Sequence, residues 1–124
     1  MYKILVADDE KALRMLVRGT LEIGNYNIFE AENGVDVLYL TATEKPDLII
    51  LDVMMPGMTG YEVCEEIKSK DEFKDTKILI LTAKGQQTDK EKAKEVMADY
   101  YLSKPFSPAK LLSVVEKILG EQKK

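Results

Sequence analysis

Five short runs rich in β-branched and aliphatic residues alternate strictly with longer stretches of helical periodicity, the pattern of successive βαβ units on a parallel sheet. The predicted strands are Lys3 to Ala7, Asn27 to Ala31, Asp47 to Leu51, Lys77 to Thr82 and Asp99 to Leu102. The first, third and fourth are unbroken apolar runs, as expected of strands covered on both faces. The predicted helices are about Lys11 to Ile23, Val35 to Thr43, Gly60 to Lys70, Thr88 to Met97 and Pro108 to Leu119. Their punctuation agrees: Gly24 can cap the first, Thr88 with Glu91 forms a capping-box pattern, and Ser107-Pro108 is an N-cap followed by proline at the first helical position. In the last helix Leu111, Leu112, Val115, Ile118 and Leu119 share one face, so it packs on the sheet. The fourth keeps only Ala93, Val96 and Met97 as a thin apolar stripe and is expected to be weakly anchored.

Parallel crossovers are right-handed, and an open sheet with helices on both faces must reverse its winding once. The expected fold is therefore a doubly wound (βα)5 flavodoxin-like α/β sandwich, a five-stranded parallel sheet of order 2-1-3-4-5. At 124 residues the chain fits one domain, read as 1–120 with a frayed tail at 121–124.

Composition narrows the chemistry. With 18 basic and 22 acidic residues the formal charge is −4, so the chain lacks the footprint of a nucleic-acid or anionic-membrane binder. The apolar stretch after Met1-Tyr2-Lys3 is too short for a signal peptide, and no run approaches a membrane span. A single cysteine, Cys64, excludes an intrachain disulfide, fits a reducing cytoplasm and reads as a small core hydrophobe. The absence of histidine removes His-based acid–base catalysis, His-containing zinc sites and the Ser/His/Asp triad. Carboxylates, hydroxyls and lysines remain.

In the expected order, strands one and three are neighbours, and a ligand site lies outside their carboxyl ends. Asp8 and Asp9 follow strand one, and Asp52 follows strand three. Adjacent strands are about 4.8 Å apart, so three carboxylates converge, and a hard divalent cation such as Mg²⁺ relieves their repulsion. Thr82 and Lys104 close strands four and five with groups suited to an anionic oxygen. A carboxylate beside a divalent metal, a hydroxyl and an ammonium can act as a nucleophile toward phosphorus, and Asp52 is the central one.

The chain resembles the CheY-like receiver domains of two-component response regulators in five ordered motifs: Ile4 to Glu10, Ala31 to Gly34, Pro46 to Gly60, Ile78 to Ala83, and Ala98 to Phe106. The resemblance implies that Asp52 accepts a phosphoryl group from a phosphohistidine on a sensor histidine kinase or phosphotransfer protein. It implies that Asp9, Asp52 and the Met54 backbone carbonyl ligate Mg²⁺, with Asp8 acting largely through metal-bound water. Thr82 and Lys104 would hold phosphoryl oxygens, the Lys104-Pro105 bond would be cis, and Tyr101 would swing inward as the switch. The output face would comprise helix four, strand five and helix five, read by a downstream protein or domain. Met54 and Lys84 would tune water access, the apolar Met54 favouring slow self-dephosphorylation. Met97 stands where many receivers carry glycine before Ala98.

Three other readings are weighed. An Mg²⁺-dependent aspartyl-phosphate phosphatase would carry Asp-x-Asp and a cap domain, whereas this chain has adjacent aspartates. A flavodoxin-like cofactor binder would not offer Asp8-Asp9-Glu10 to a phosphate. A docking-only receiver would lack the full set of Asp8, Asp9, Asp52, Thr82 and Lys104.

Overall fold

The computed structural model describes residues 1–82 and 97–122. The elements are β1 (Tyr2–Ala7), α1 (Lys11–Leu21), β2 (Tyr26–Ala31), α2 (Gly34–Glu44), β3 (Leu48–Asp52), α3 (Gly60–Lys68), a 3-10 turn (Asp71–Phe73), β4 (Lys77–Thr82), β5 (Tyr100–Ser103) and α4 (Pro108–Gln122). All strand pairs are parallel, and the order is β2-β1-β3-β4-β5, as expected. The helix predicted over Thr88 to Met97 lies outside the described residues apart from Met97.

The two-residue side-chain period of the central strands divides them between two cores. Leu5, Ala7, Ile49, Leu51, Ile78 and Ile80 pack with Val37, Val63, Cys64 and Ile67 of α2 and α3. The alternate residues Ile4, Val6, Leu48, Ile50, Leu79 and Leu81 pack with Val17 and Leu21 of α1 and with Leu111, Val115, Ile118 and Leu119 of α4.

A strand apolar on both faces does not define its own register, since a one-residue slip merely exchanges apolar faces. Two aspartates supply it. The N–H of Lys3 donates to Asp47 Oδ2 at 2.8 Å, while the Asp47 N–H donates to the Lys3 carbonyl at 2.8 Å. Asp99 repeats the device, accepting from the Ile78 N–H at 2.8 Å and donating to the Ile78 carbonyl at 3.0 Å. Both residues were predicted as the first of their strands. Their side chains instead clamp the neighbouring backbone, and the strands begin one residue later.

Helix ends differ for local reasons. Helix α1 stops at Leu21 on a right-handed Glu22, and Gly24 closes the turn with its N–H on the Leu21 carbonyl at 3.0 Å rather than as a left-handed cap. The final helix runs to Gln122, past the predicted end at Leu119 and into the stretch expected to fray, because residues 120–122 include no proline and favour helix after Gly120. Ser107 caps its start, Oγ accepting from the Lys110 N–H at 3.1 Å.

Met97 has φ of 68° and its side chain is 70% exposed, so it carries a left-handed penalty with little packing in return. Met97→Gly is expected to stabilise the fold by about 0.5–1 kcal/mol, the left-handed cost less the added freedom of the unfolded chain. The midpoint of urea unfolding checks it, and a lower midpoint would contradict it.

Candidate functional site

Helices α1 and α4 cover one face and α2 and α3 the other, so the winding reverses where β1 meets β3. Asp8 and Asp9 leave the end of β1, and Asp52 is the last residue of β3. One carboxylate oxygen from each lies within 4.8 Å of the others. Asp8 and Asp52 are buried at 3% and 6% exposure, and Asp9 is exposed.

Asp8 is the most constrained of the three. Its N–H donates to the Ala31 carbonyl at 3.1 Å, and its Oδ1 accepts from the Glu10 N–H at 2.9 Å. Its carbonyl accepts from Arg14 Nη1 at 2.7 Å. Asp8 Oδ2 is buried with no hydrogen-bond partner, the only such side-chain atom among the described residues. An orphaned carboxylate oxygen beside two further carboxylates matches the donor set of a hard divalent cation.

Lys104 enters from the end of β5. Its ammonium is ion-paired with Asp52 Oδ1 and lies 4.0 Å from Asp8 Oδ2. Its N–H donates to the Thr82 carbonyl at 2.8 Å, and the Lys104-Pro105 bond is cis, as the resemblance implied. Thr82 is fully buried at the end of β4, one residue beyond the Asp52–Leu81 register pair. Its hydroxyl lies 3.3 Å from Ser103 Oγ, so in this state it faces β5. Tyr101 pairs in register with Ile80 and is partly exposed, and the Met54 side chain is exposed. Lys84 lies outside the described residues. A groove of about 270 Å³ opens beside Lys104, lined by Glu10, Leu13, Leu16, Pro105 and Phe106.

Burial raises the Asp8 carboxyl from 3.8 to about 6, with the Asp52 and Asp9 charges adding and the Glu10 N–H and Lys104 opposing. A carboxyl raised on folding favours the folded state below its unfolded value, and that contribution is lost as pH rises through the folded value. In metal-free protein, Asp8→Asn should therefore raise stability by about 1–2 kcal/mol above pH 7. The gain should vanish near pH 4, which unfolding at a series of pH values in chelator will show. Cys64 is buried against α3's core, and burial pushes its thiol up to about 12, consistent with an inert apolar role.

Three residues of this region are not among the site residues that the sequence singles out. Ser103 holds the Thr82 hydroxyl. Arg14 holds the Asp8 carbonyl, and its signal was a cation on the buried face that also carries Val17 and Leu21. Gly60 approaches the backbone of Asp52, where an added Cβ would stand 2.3 Å from the carbonyl oxygen.

The fold and its pocket thus define a doubly wound α/β module with an acidic cluster and a lysine at the switch point. Residues 4–116 match the response regulator receiver domain. The chain is 45% identical over 117 residues to the transcriptional regulatory protein ResD of Bacillus subtilis, covering 94% of this chain and 48% of ResD. It is 43% identical to the alkaline phosphatase synthesis transcriptional regulatory protein PhoP of the same organism, with 94% and 48% covered. Among solved structures, the chemotaxis response regulator CheY4 of Vibrio cholerae superposes with a TM-score of 0.89 at 35% identity, covering 95% of this chain and 98% of that one. The receiver domain of a signal transduction histidine kinase from Syntrophus aciditrophicus gives 0.93 at 28% identity, covering 100% and 94%. The chain belongs to the receiver domains of two-component response regulators, which are signalling modules. It spans about half the length of the two Bacillus relatives. No helix among the described residues is long and apolar enough to cross a membrane.

Proposed function

We propose that Asp52 is the phosphoacceptor of this receiver, taking a phosphoryl group from a phosphohistidine on a sensor histidine kinase or phosphotransfer protein. The observation that carries this reading is the pairing of Lys104 with Asp52 at the point where Asp8 and Asp9 converge. Asp8, Asp9 and Asp52, with the Met54 backbone carbonyl, would hold Mg²⁺. When bound, that ion supplies positive charge to the transferring group.

The residues of the chain do the rest. An Asp52 carboxylate oxygen attacks phosphorus, the bond from phosphorus to the imidazole nitrogen breaks, and the imidazole leaves with the bonding pair. Lys104 moves its ammonium from Asp52 to a phosphoryl oxygen, exchanging one charge-assisted contact for another. Thr82 exchanges Ser103 for a second phosphoryl oxygen. Phosphorylation adds about −1.5 to −2 charges, and the movement of Thr82 opens space into which Tyr101 turns. The surface so altered comprises β5, α4 and the helix predicted over Thr88 to Met97, and a downstream protein or domain would read it. The groove beside Lys104 supports docking of the phosphodonor next to Asp52. The apolar Met54, two residues after Asp52 and exposed, supports slow self-dephosphorylation of the phosphorylated module. The acidic net charge supports a module that binds no nucleic acid or anionic membrane directly, the single Cys64 fits a cytoplasmic setting, and the receiver domain is read as 1–120.

The test is intact mass after incubation with Mg²⁺ and a small-molecule phosphodonor. One added phosphoryl group, lost in Asp52→Ala and in chelator, is expected. Undiminished incorporation in Asp52→Ala would overturn the assignment.

A further inference from the structure

A cation at a core position of an amphipathic helix is costly unless its bonds are satisfied. Arg14 is 7% exposed, on the face of α1 that carries Val17 and Leu21. Its planar fork reaches three places at once: Nη1 donates to the Asp8 carbonyl at 2.7 Å, Nε to Glu30 Oε1 at 3.2 Å, and Nη2 to Glu32 Oε1 at 3.2 Å. Glu30 is held in turn by Arg18, whose Nη1 donates to its other oxygen at 2.9 Å.

We propose that Arg14 is a positioning residue for the acidic pocket, locking the Asp8–Asp9 peptide so that both carboxylates are presented together to a divalent cation. This rests on the reading of the pocket proposed above. The short, buried bond is the one to Asp8, whereas the Glu32 side chain is 69% exposed and its contact contributes little. The Asp8 carbonyl belongs to the same planar unit as the Asp9 N–H, so fixing one fixes the direction in which Asp9 leaves. With the Asp8 N–H held by Ala31, that residue is tied at both ends of its backbone, and Oδ1 is tied to Glu10. Only Oδ2 is left without a hydrogen bond, and Asp8 is one of the three clustered carboxylates.

A positioning role and a purely electrostatic one have opposite signs. Removing a cation from beside three carboxylates strengthens their attraction for Mg²⁺. Releasing the peptide that carries two of them weakens it. A clamp that only joins α1 to β2 would alter unfolding and leave Mg²⁺ affinity alone.

The experiment is a calorimetric Mg²⁺ titration of the unphosphorylated chain, below the melting midpoint of each variant, with unfolding in chelator alongside. Arg14→Met is expected to weaken Mg²⁺ binding about tenfold, the range seen when groups orienting metal ligands are lost. Arg14→Lys, which keeps the charge and one donor, is expected to weaken it about threefold. Equal or tighter binding in Arg14→Met overturns the proposal. Should that variant not fold, unchanged binding in Arg14→Lys does so. Wild-type phosphorylation is read separately: phosphorylation on Asp52 with Mg²⁺ affinity indifferent to Arg14 overturns this inference alone. Arg14-dependent Mg²⁺ affinity without phosphorylation overturns the phosphoacceptor reading and leaves this one standing.

Discussion

Lys104→Met is expected to slow phosphoryl incorporation on Asp52 about 10²–10³-fold while leaving the chain folded, the loss typical of one preorganised charge at a reacting group. The fold survives because the backbone of Lys104 is anchored independently, its N–H on the Thr82 carbonyl at 2.8 Å. What disappears is the one ammonium that the described residues set beside Asp8 and Asp52. That loss acts in two opposite directions. The resting pocket loses a cation competing for Asp52, so Mg²⁺ should bind more tightly. The transfer loses charge stabilisation on the phosphoryl oxygens, so the rate should fall. The Asp8 carboxyl, which Lys104 holds down, should rise further from its ordinary value in metal-free protein. Mass followed over time, with an Mg²⁺ titration of the same sample, separates these. Tighter metal with slower transfer supports the role, and an unchanged rate would reduce Lys104 to a resting counterion.

The sheet order and the meeting of the three aspartates were legible because both follow from strand sequence and topology. Apolar runs at β1, β3 and β4 require helices on two faces, and two-faced winding places the ends of β1 and β3 side by side. What the sequence did not reveal depends on contacts between residues distant along the chain. Asp47 and Asp99 looked like strand residues until the neighbouring backbone was in place to receive their side chains. Thr82 was readable as a strand-end hydroxyl, but its partner Ser103 lies 21 residues away across a strand pair. Arg14 lies inside the predicted first helix as a cation on its apolar face, but only the folded chain sets the Asp8 carbonyl against it. The 3-10 turn at Asp71–Phe73, which buries Phe73, leaves no periodic signal in three residues. The phosphatase and flavin readings fall with the family assignment.

The second large effect is expected at Gly60, where local propensity and packing disagree about the sign. Gly60 opens α3 directly after Thr59, whose Oγ1 accepts from the Glu62 N–H while Glu62 reaches back to the Thr59 N–H. Helix propensity alone favours alanine over glycine. The Gly60 N–H, however, donates to the Val53 carbonyl at 2.8 Å, drawing the helix onto the backbone just past β3. A Cβ there would lie 2.3 Å from the Asp52 carbonyl oxygen, 3.0 Å from its carbon and 3.1 Å from Val53 Cα. None of these is a side chain that can rotate away, so either α3 or the Asp52 backbone must move. Gly60→Ala should destabilise by about 2–3 kcal/mol, since overpacking against a rigid neighbour outweighs the propensity gain. Displacing Asp52 should weaken Mg²⁺ binding in the same variant. Gly19 supplies the control: it lies inside α1 with nothing within 4 Å of an added Cβ, so Gly19→Ala should stabilise by about 1 kcal/mol. Urea unfolding of the two variants should shift the midpoint in opposite directions. If both shift upward, the close approach at Asp52 is absorbed by the backbone, and Gly60 does not set the position of Asp52.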